Sequence, residues 1–441
     1  MKVSGWGRYP SVDTQLCFPR DVETLSALMS SKHSVIARGN GRAYGDSAVN
    51  PFSTVSMKYF DRMLSFETKT GQLVAESGTL LSDIIKTFLP RGWFPMVTPG
   101  TKFVTLGGMI AADVHGKNHH KEGSFRTCVD WIDVLGINGE IIRCSQETNI
   151  DLYEHTLGGM GLTGIILRAA IRLRPVETSW IRQTTIPAPN LQAAMEVFAK
   201  HKKSTYSVAW IDCLGQGKNL GRSLIMLGEH ASISDLSAQH AGAPFARPEK
   251  HEIRLPVTLP SGVLNRMSVS LFNNLYYKMG TRKIGEHLVD YDTYFYPLDA
   301  ILGWNRIYGR KGFAQFQCVL PLDSSEKGLS ALLEAISLAG AGSFLAVLKR
   351  LGPQESKFSF PMEGYTLALD FPISRKTLRL LERLDEIAVE NGGRFYLAKD
   401  SRMSACTLRN SDPRVEKFIK KRDENGWRSQ FVSSQAERLS I

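Results

Sequence analysis

No two of the six cysteines (Cys17, Cys128, Cys144, Cys213, Cys318 and Cys406) stand in a C-x-x-C spacing. The chain therefore offers neither a zinc ribbon nor a disulfide framework. No window reaches the ~18 uninterrupted apolar residues of a membrane-crossing helix. The opening MKVSGWGRYPSVDT has no apolar run of the kind that marks a secretory signal. Repeats and low-complexity tracts are lacking too. Acidic charge is in deficit: 54 Lys and Arg stand against 43 Asp and Glu, a formal net charge of +11. These absences predict a soluble or peripheral protein made in a reducing compartment, cytoplasmic, at most in contact with the inner membrane face. A basic surface suits nucleic acid, an anionic membrane or a phosphorylated substrate. The basic run Lys417–Arg422 (KFIKKR) belongs to no recognisable nucleic-acid module, so no nucleic-acid partner is expected.

What is present is an ordinary globular composition, 43% hydrophobic and 9% aromatic, over 441 residues. That length exceeds one ordinary core and predicts two domains. The residues that carry chemistry concentrate in two glycine-rich loops. Thr98–Ser124 reads TPGTKFVTLGGMIAADVHGKNHHKEGS: three glycines (Gly100, Gly107, Gly108) in a small apolar run, then Asp113, His115, Lys117, Asn118, His119 and His120. Glycine and alanine let main chain approach a ligand closely, so the run reads as backbone pressed against something flat or anionic. Upstream, the strand candidate Ser34–Ala37 breaks into RGNGRAYGDS at Arg38–Ser47. Consecutive N–H groups of such a turn form a concavity for phosphate, and the flanking arginines add charge.

Two tempting motifs fail on context. Gly159-Met160-Gly161-Leu162-Thr163-Gly164 fits the dinucleotide fingerprint, which requires a strand before it and a helix after. Here Asp151–Leu157 lacks strand character and an alternating strand follows. His115 and His119 are four apart, as in helical metal sites, but Gly116 stands where the metalloprotease pattern needs Glu. No metal is expected. His119 and His120 read equally as histidines hydrogen-bonded to hold a loop, whereas His115 directly follows the small-residue run.

Strands are expected at Gln72–Glu76, Trp131–Leu135, Tyr206–Asp212 and Phe313–Leu320, with a hairpin turn at Gly136–Gly139. Ile165–Pro175 reads as a strand half-buried on one side. Helices are expected at Leu80–Leu89, Gly328–Ala339 and Leu378–Glu390. Ala231–Leu264, rich in Ser, Pro, Ala and charge, reads as a mobile loop over the site or a membrane-facing element.

The two loops, in this order, resemble the flavin-binding half of the vanillyl-alcohol-oxidase/p-cresol-methylhydroxylase superfamily. Within it the chain resembles the decaprenylphosphoryl-β-D-ribose oxidase family, the FAD subunit of a ribose 2′-epimerase. The motifs are GWGR at Gly5, ARGNGRAYGD, TPGTKFVTLGG, HGKNHH with GSF after it, GGMGLTGII, WNRIYG at Trp304, FQCVLP after Gln315, and AKDSR at Ala398. Together they span nearly the whole chain. The resemblance implies a two-domain α+β flavoprotein: residues 1–178 an FAD-binding domain, 179–391 a substrate-binding cap with an antiparallel sheet, and 392–441 a return to the flavin domain.

It further implies contacts to FAD from Arg38, Gly39, Asn40, Gly41, Arg42, Ala43 and Tyr44. The second loop would add Gly100, Thr101, Thr105, Gly107, Gly108, Ala111, Ala112, His115, Gly116 and Asn118, with Gly159, Gly164, Ile165 and Tyr396 completing the set. Covalent members of the superfamily place a histidine where this chain has Arg42, so the flavin is expected to be non-covalent. The substrate side falls to Trp210, Gln315, Gln317, Lys349 and Lys399; Lys349 read alone is also consistent with an exposed strand end. Lys399, Tyr44 and His115 are the catalytic candidates, because a carbinol proton needs an acceptor with a pKa near the working pH. The implied reaction is oxidation of the 2′-hydroxyl of a polyprenyl-phosphoryl ribose to a ketone, with a short-chain NAD(P)H reductase completing epimerisation. A soluble sugar, alditol or lactone is the alternative substrate. Thr366, Ala368 and Val208 depart from the mycobacterial pattern in the pocket wall. The cysteine that nitroaromatic inhibitors trap is Ala368 here, which implies that no covalent adduct forms.

Overall fold

The computed structural model describes residues 1–246, 253–260 and 264–441. Its fold is α+β in two domains, built on two large antiparallel sheets and a small parallel one. The parallel sheet sets Ser53–Ser56 between Gln15–Cys17 and Ile36–Arg38. It lies one or two residues later than the apolar run Ser34–Ala37 suggests. Phe431 is fully buried against Leu25 and Val55 beside this sheet. The Val35 amide donates to Gln430 O (2.7 Å) and Val35 O accepts from Val432 N (3.0 Å), so the end of the chain docks on its beginning.

The six-stranded sheet runs Ile141–Ser145, Val129–Leu135, Ile165–Pro175, Gln72–Glu76, Met63–Glu67, with Trp93–Pro95 also paired to Ile165–Pro175. The expected strands and hairpin turn are in place, Gly139 taking φ +78°. Ile165–Pro175 departs from the one-sided reading. It is hydrogen-bonded along both edges and most of its residues are buried, only Arg168, Arg172 and the terminal Pro175 reaching the surface with Arg174 partly covered. A central strand covered on both faces loses its polar/apolar alternation. The segment before Gly159 is a helix, Ile150–Thr156, and a strand follows the glycines. The order is the reverse of a dinucleotide fold.

The eight-stranded sheet is ordered Gly285–Asp290, Trp180–Ala188, Ser223–His230, Tyr206–Ile211, Ala346–Leu351, Gly364–Pro372, Phe313–Pro321, Arg394–Phe395. Its outer face is closed by helices Leu322–Ala339 and Arg375–Glu390, which bury Leu329, Leu332, Leu333, Ile336, Leu381, Leu384 and Ala388. Both helices start earlier than their apolar periodicity. In the second, Ser374 caps the first turn and pairs reciprocally with Thr377. In the first, Gly328 is interior: a Cβ there would lie 2.7 Å from Leu320 Cδ1, so glycine marks close helix–sheet packing rather than a helix start.

Part of Ala231–Leu264 is ordered. Ser232 caps a turn at Ile233–Asp235, Ala238–Ala241 is helical, and Ile253–Arg254 pairs in parallel with Ile301–Leu302. Residues 247–252 and 261–263 of that expected loop lie outside the described residues. Among the described residues no helix is long and apolar enough to cross a membrane.

Candidate active site

Strand periodicity builds one wall of a cavity of about 630 Å³. Side chains alternate across a strand. In Phe313–Pro321, Ala314, Phe316, Cys318 and Leu320 enter the core under the helices, which turns Gln315 and Gln317 to the other face. In Ala346–Leu351 the same alternation buries Ala346 and Leu348 and presents Val347 and Lys349. In Gly364–Pro372 it buries Leu367, Leu369 and Phe371, and Thr366 and Ala368 line the cavity with Asp370 beneath them. Register then pairs Gln315 with Asp370, Gln317 with Ala368, and Lys349 with Thr366.

The facing wall is main chain. Trp6 N donates to Ala43 O (2.8 Å), Gly7 N to Tyr44 O (2.9 Å), Tyr44 N to Ala398 O (2.9 Å) and Phe313 N to Gly7 O (2.8 Å). This ladder fixes the loop Gly39–Tyr44 and sets Tyr44 beside Lys399, whose Nζ stands 3.8 Å from the tyrosine ring centroid. A Cβ on Gly39 would lie 2.1 Å from Thr105 Oγ1, so the two glycine loops touch through a missing side chain. At Gly100 a Cβ would meet nothing within 4 Å, the open side of the same concavity.

Of the residues proposed for the cofactor, Gly39, Asn40, Gly41, Arg42, Ala43, Tyr44, Gly100, Thr101, Thr105, Gly108, Ala112, His115 and Tyr396 line the cavity. All five substrate candidates line it as well, Trp210, Gln315, Gln317, Lys349 and Lys399. Lys349 is thus mid-strand and faces the cavity, not a strand end in solvent. Eight candidates stand back from it. Arg38 turns beneath its loop and donates to Ser4 O (2.8 Å) and Ala48 O (3.3 Å). Gly107 abuts Ser77, and Gly116 abuts Asn118 and Thr98. Asn118 donates to Met96 O (2.8 Å) and bonds Glu122. Ala111 O accepts from Met160 N (2.8 Å), which ties the glycine run at Gly159 to the end of helix Leu106–Ala111. Gly164 packs on Val134 and Leu135, and Ile165 is core. Those two shape the sheet beneath the second loop.

The histidines separate in the same way. His119 Nε2 bonds Gln354 Oε1 (2.9 Å) and its Nδ1 accepts from Gly352 N (3.2 Å), while His120 Nε2 bonds Ser204 O (2.8 Å). Both hold the loop against the cap. His115 is buried; Gln317 Nε2 donates to its Nε2 (3.1 Å) and to Thr366 Oγ1 (3.2 Å). Burial, then Lys349, His119 and Lys399, hold the His115 imidazole well below its ordinary pKa, so it is neutral. Its Nδ1 is buried without a partner.

Three residues escaped sequence reasoning as site residues, Asp370 beneath the cavity wall and Lys117 and Asp299 in it. Asp370 accepts from Gln315 Nε2 (2.5 Å) and Tyr308 Oη (3.4 Å), and burial pushes its carboxyl up. Burial likewise pushes the Lys399 amine down, while Asp370 opposes that shift. Thr366 and Ala368 were already read as pocket wall; adding two along the strand reaches Asp370, which is the signal that could have found it. Lys117 bonds Tyr294 O and sits 4.3 Å over the Tyr294 ring, its amine lowered to about 7 by burial. Asp299 accepts from Thr101 Oγ1 and Lys102 N, both at 2.8 Å, on the rim near Arg42. Lys349 is lowered to about 8, again by burial. Among the described residues no three His, Cys, Asp or Glu converge as metal ligands.

The donor set fits a flavin dinucleotide. It joins a glycine-rich main-chain wall, the Arg42 guanidinium at its rim (4.1 Å over the Trp6 ring) and the unpartnered His115 Nδ1. Comparison with known proteins agrees. A family model described as an FAD binding domain matches residues 14–145. The chain is 34% identical to the decaprenylphosphoryl-β-D-ribose oxidase of Mycolicibacterium smegmatis, over 100% of this chain and 97% of that one. It is 26% identical to the L-gulonolactone oxidase of Bos taurus over 47% of each chain. It is 30% identical to cytokinin dehydrogenase 2 of Arabidopsis thaliana over 41% of this chain and 35% of the relative. The full-length match at this identity, with the FAD domain and the cavity chemistry, places this chain in the decaprenylphosphoryl-β-D-ribose oxidase family of FAD-dependent oxidoreductases.

Proposed function

We propose that the protein oxidises the 2′-hydroxyl of a polyprenyl-phosphoryl-β-D-ribose to the 2′-ketone, the first half of epimerisation to the arabinose form. The observation that carries this reading is the lining of the cavity. Lys399, Lys349, Gln315, Gln317 and His115 supply polar groups for a sugar phosphate, and farther along the sheet Trp210 on Tyr206–Ile211 with Leu224 and Met226 on Ser223–His230 supply apolar surface for a tail. In the same reading the chain divides at about residues 178 and 391, the protein works at the inner membrane face, and a short-chain NAD(P)H reductase consumes the ketone.

When bound, non-covalent FAD supplies the ring that accepts hydride from the carbinol carbon. Gly39–Tyr44, Gly100–Thr101, Gly108 and Ala112 would hold it, with Tyr396 fixed by a 3.1 Å bond from its hydroxyl to Ala112 O. The residues of this chain then handle the proton and the charge. Lys399 Nζ takes the hydroxyl proton: burial keeps its amine available near neutral pH, and Asp370 stabilises the ammonium that results. Gln315 holds Asp370 in place. Lys349 and Lys117 face the phosphate, and the single negative charge of an arriving phosphodiester favours the ammonium forms that burial works against. Neutral His115 donates through Nδ1 to a ligand without adding charge beside Lys399. Incubating the FAD-loaded protein with a short-chain polyprenyl-phosphoryl ribose and a dye acceptor tests the reading. A 2′-keto product supports it; turnover of soluble sugars or lactones alone would replace it by the alternative.

A further inference from the structure

The helix Arg266–Gly280 has its polarity reversed. At 100° per residue, Val269, Asn273, Tyr276 and Gly280 fall on one side. This side faces the protein: Val269 and Asn273 are buried, Tyr276 packs on Trp210 at 4.8 Å, and a Cβ on Gly280 would lie 2.1 Å from Leu224. The opposite side should be polar. It instead carries Met267, Leu271, Leu275 and Met279, four apart each time, exposed by 83%, 63%, 53% and 60%, with Phe272 beside them. The stripe runs about 18 Å, and Ile284 extends it at 63% exposure.

The charge around the stripe has one sign. From Leu264 to Gly285 there are four basic residues (Arg266, Lys278, Arg282, Lys283) and no acidic one. Among the described residues none of the four enters an ion pair. An isolated apolar side chain in water needs no explanation, but an aligned stripe flanked by unpaired cations does. Its position is informative as well. Tyr276, Met279, Gly280 and Lys283 also line the cavity, and Met279 is itself exposed in the stripe, so the stripe runs to the cavity mouth.

We infer that helix Arg266–Gly280 docks on an anionic lipid surface, its Met/Leu stripe among the acyl chains and its basic residues among the headgroups. The cavity mouth is thereby placed at the depth where a prenyl tail resides. The inference rests on the lipid-linked substrate proposed above, but it concerns a different surface from the Ser/Pro-rich segment that the sequence suggested. A basic flank favours anionic lipid over a second, equally basic copy of this chain.

The test is flotation of the full-length FAD-loaded protein with vesicles of phosphatidylcholine alone and vesicles enriched in phosphatidylglycerol. Wild type is expected to float with the anionic vesicles. The L271S/L275S variant is expected to stay at the bottom, and K278E/R282E to bind at least about thirtyfold more weakly. None of these four residues lines the cavity. Flavin content and thermal midpoint are therefore expected to match wild type, which keeps a binding loss from being a folding loss. The inference is overturned if wild type floats with neither vesicle or if L271S/L275S floats as well as wild type. It is also overturned if wild type is a dimer without lipid and L271S/L275S a monomer, since the stripe is then covered by a second copy. Activity on detergent-dispersed substrate separates this failure from that of the proposed function. Vesicle binding without turnover leaves the docking surface standing, and turnover without vesicle binding removes only the docking surface.

Discussion

The two walls of the cavity are made by opposite means. The loop wall, Gly39–Tyr44 with Gly100–Gly108, is main chain held by hydrogen bonds to distant main chain and shaped by the side chains that glycine lacks. The sheet wall is side chains alone, Gln315, Gln317, Lys349 and Thr366 projected from alternate positions of three paired strands, with Asp370 beneath them. Where its glycines pack on a neighbour, as Gly39 does on Thr105, a main-chain wall tolerates no added atom but is indifferent to charge. A side-chain wall tolerates changes of shape but depends on which groups are charged.

The largest expected effect is on a charged side chain. Under the proposed function Lys399→Ala removes the proton acceptor while the loop wall keeps FAD, so kcat should fall about 10²- to 10⁴-fold with flavin content unchanged. On the loop side, Gly39→Val drives a branched side chain into Thr105 and should fail differently. Bound flavin is lost and stability falls by about 1–3 kcal/mol, read as the flavin-to-protein absorbance ratio and the thermal midpoint. If Gly39→Val kept its flavin and lost only turnover, the contrast between the walls would collapse.

Asp370→Asn sharpens the comparison. Asp370 works through Lys399 and raises its pKa, so the amide should slow turnover by about tenfold or more and move the acid limb of the rate profile to lower pH. A purely structural role for Asp370 would leave that limb where it is. The smallest effect concerns the histidines that join loop to cap. His119 is buried neutral, its pKa lowered to about 4 by burial. Between about 4 and the ordinary 6.5 the unfolded chain binds the proton and the folded one does not, so stability rises with pH across this window and is lost on acidification. The upper limit is about 3 kcal/mol. His119→Gln, measured by denaturant unfolding between these pH values, should flatten that part of the profile.

The same contrast explains what could be read from the sequence. The loop wall was legible because glycine, alanine and a following histidine have few other reasons to cluster, and 13 of its candidates do line the cavity. The eight that stand back belong to the same motifs but serve the wall from behind: Arg38 pins the loop from below, Asn118 bridges to Met96, and Gly164 makes room for Val134. Motif membership does not say which side of a backbone a residue faces. On the sheet wall, Asp370 stayed hidden because strands covered on both faces show no polar alternation against which one acid stands out. The long helices were legible in their apolar centres, and their capped first turns were not.

The ladder that joins Gly7, Tyr44, Phe313 and Ala398 bears on how the enzyme is made. Its rungs come from four distant stretches of chain, and Phe431 and Val432 close over the sheet from which the first loop springs. A nascent chain with Tyr44 in place still lacks Lys399 for a further 355 residues. Synthesis therefore delivers the loop wall first and Lys399 late, so under the proposed function the centre remains chemically silent until that last rung is made.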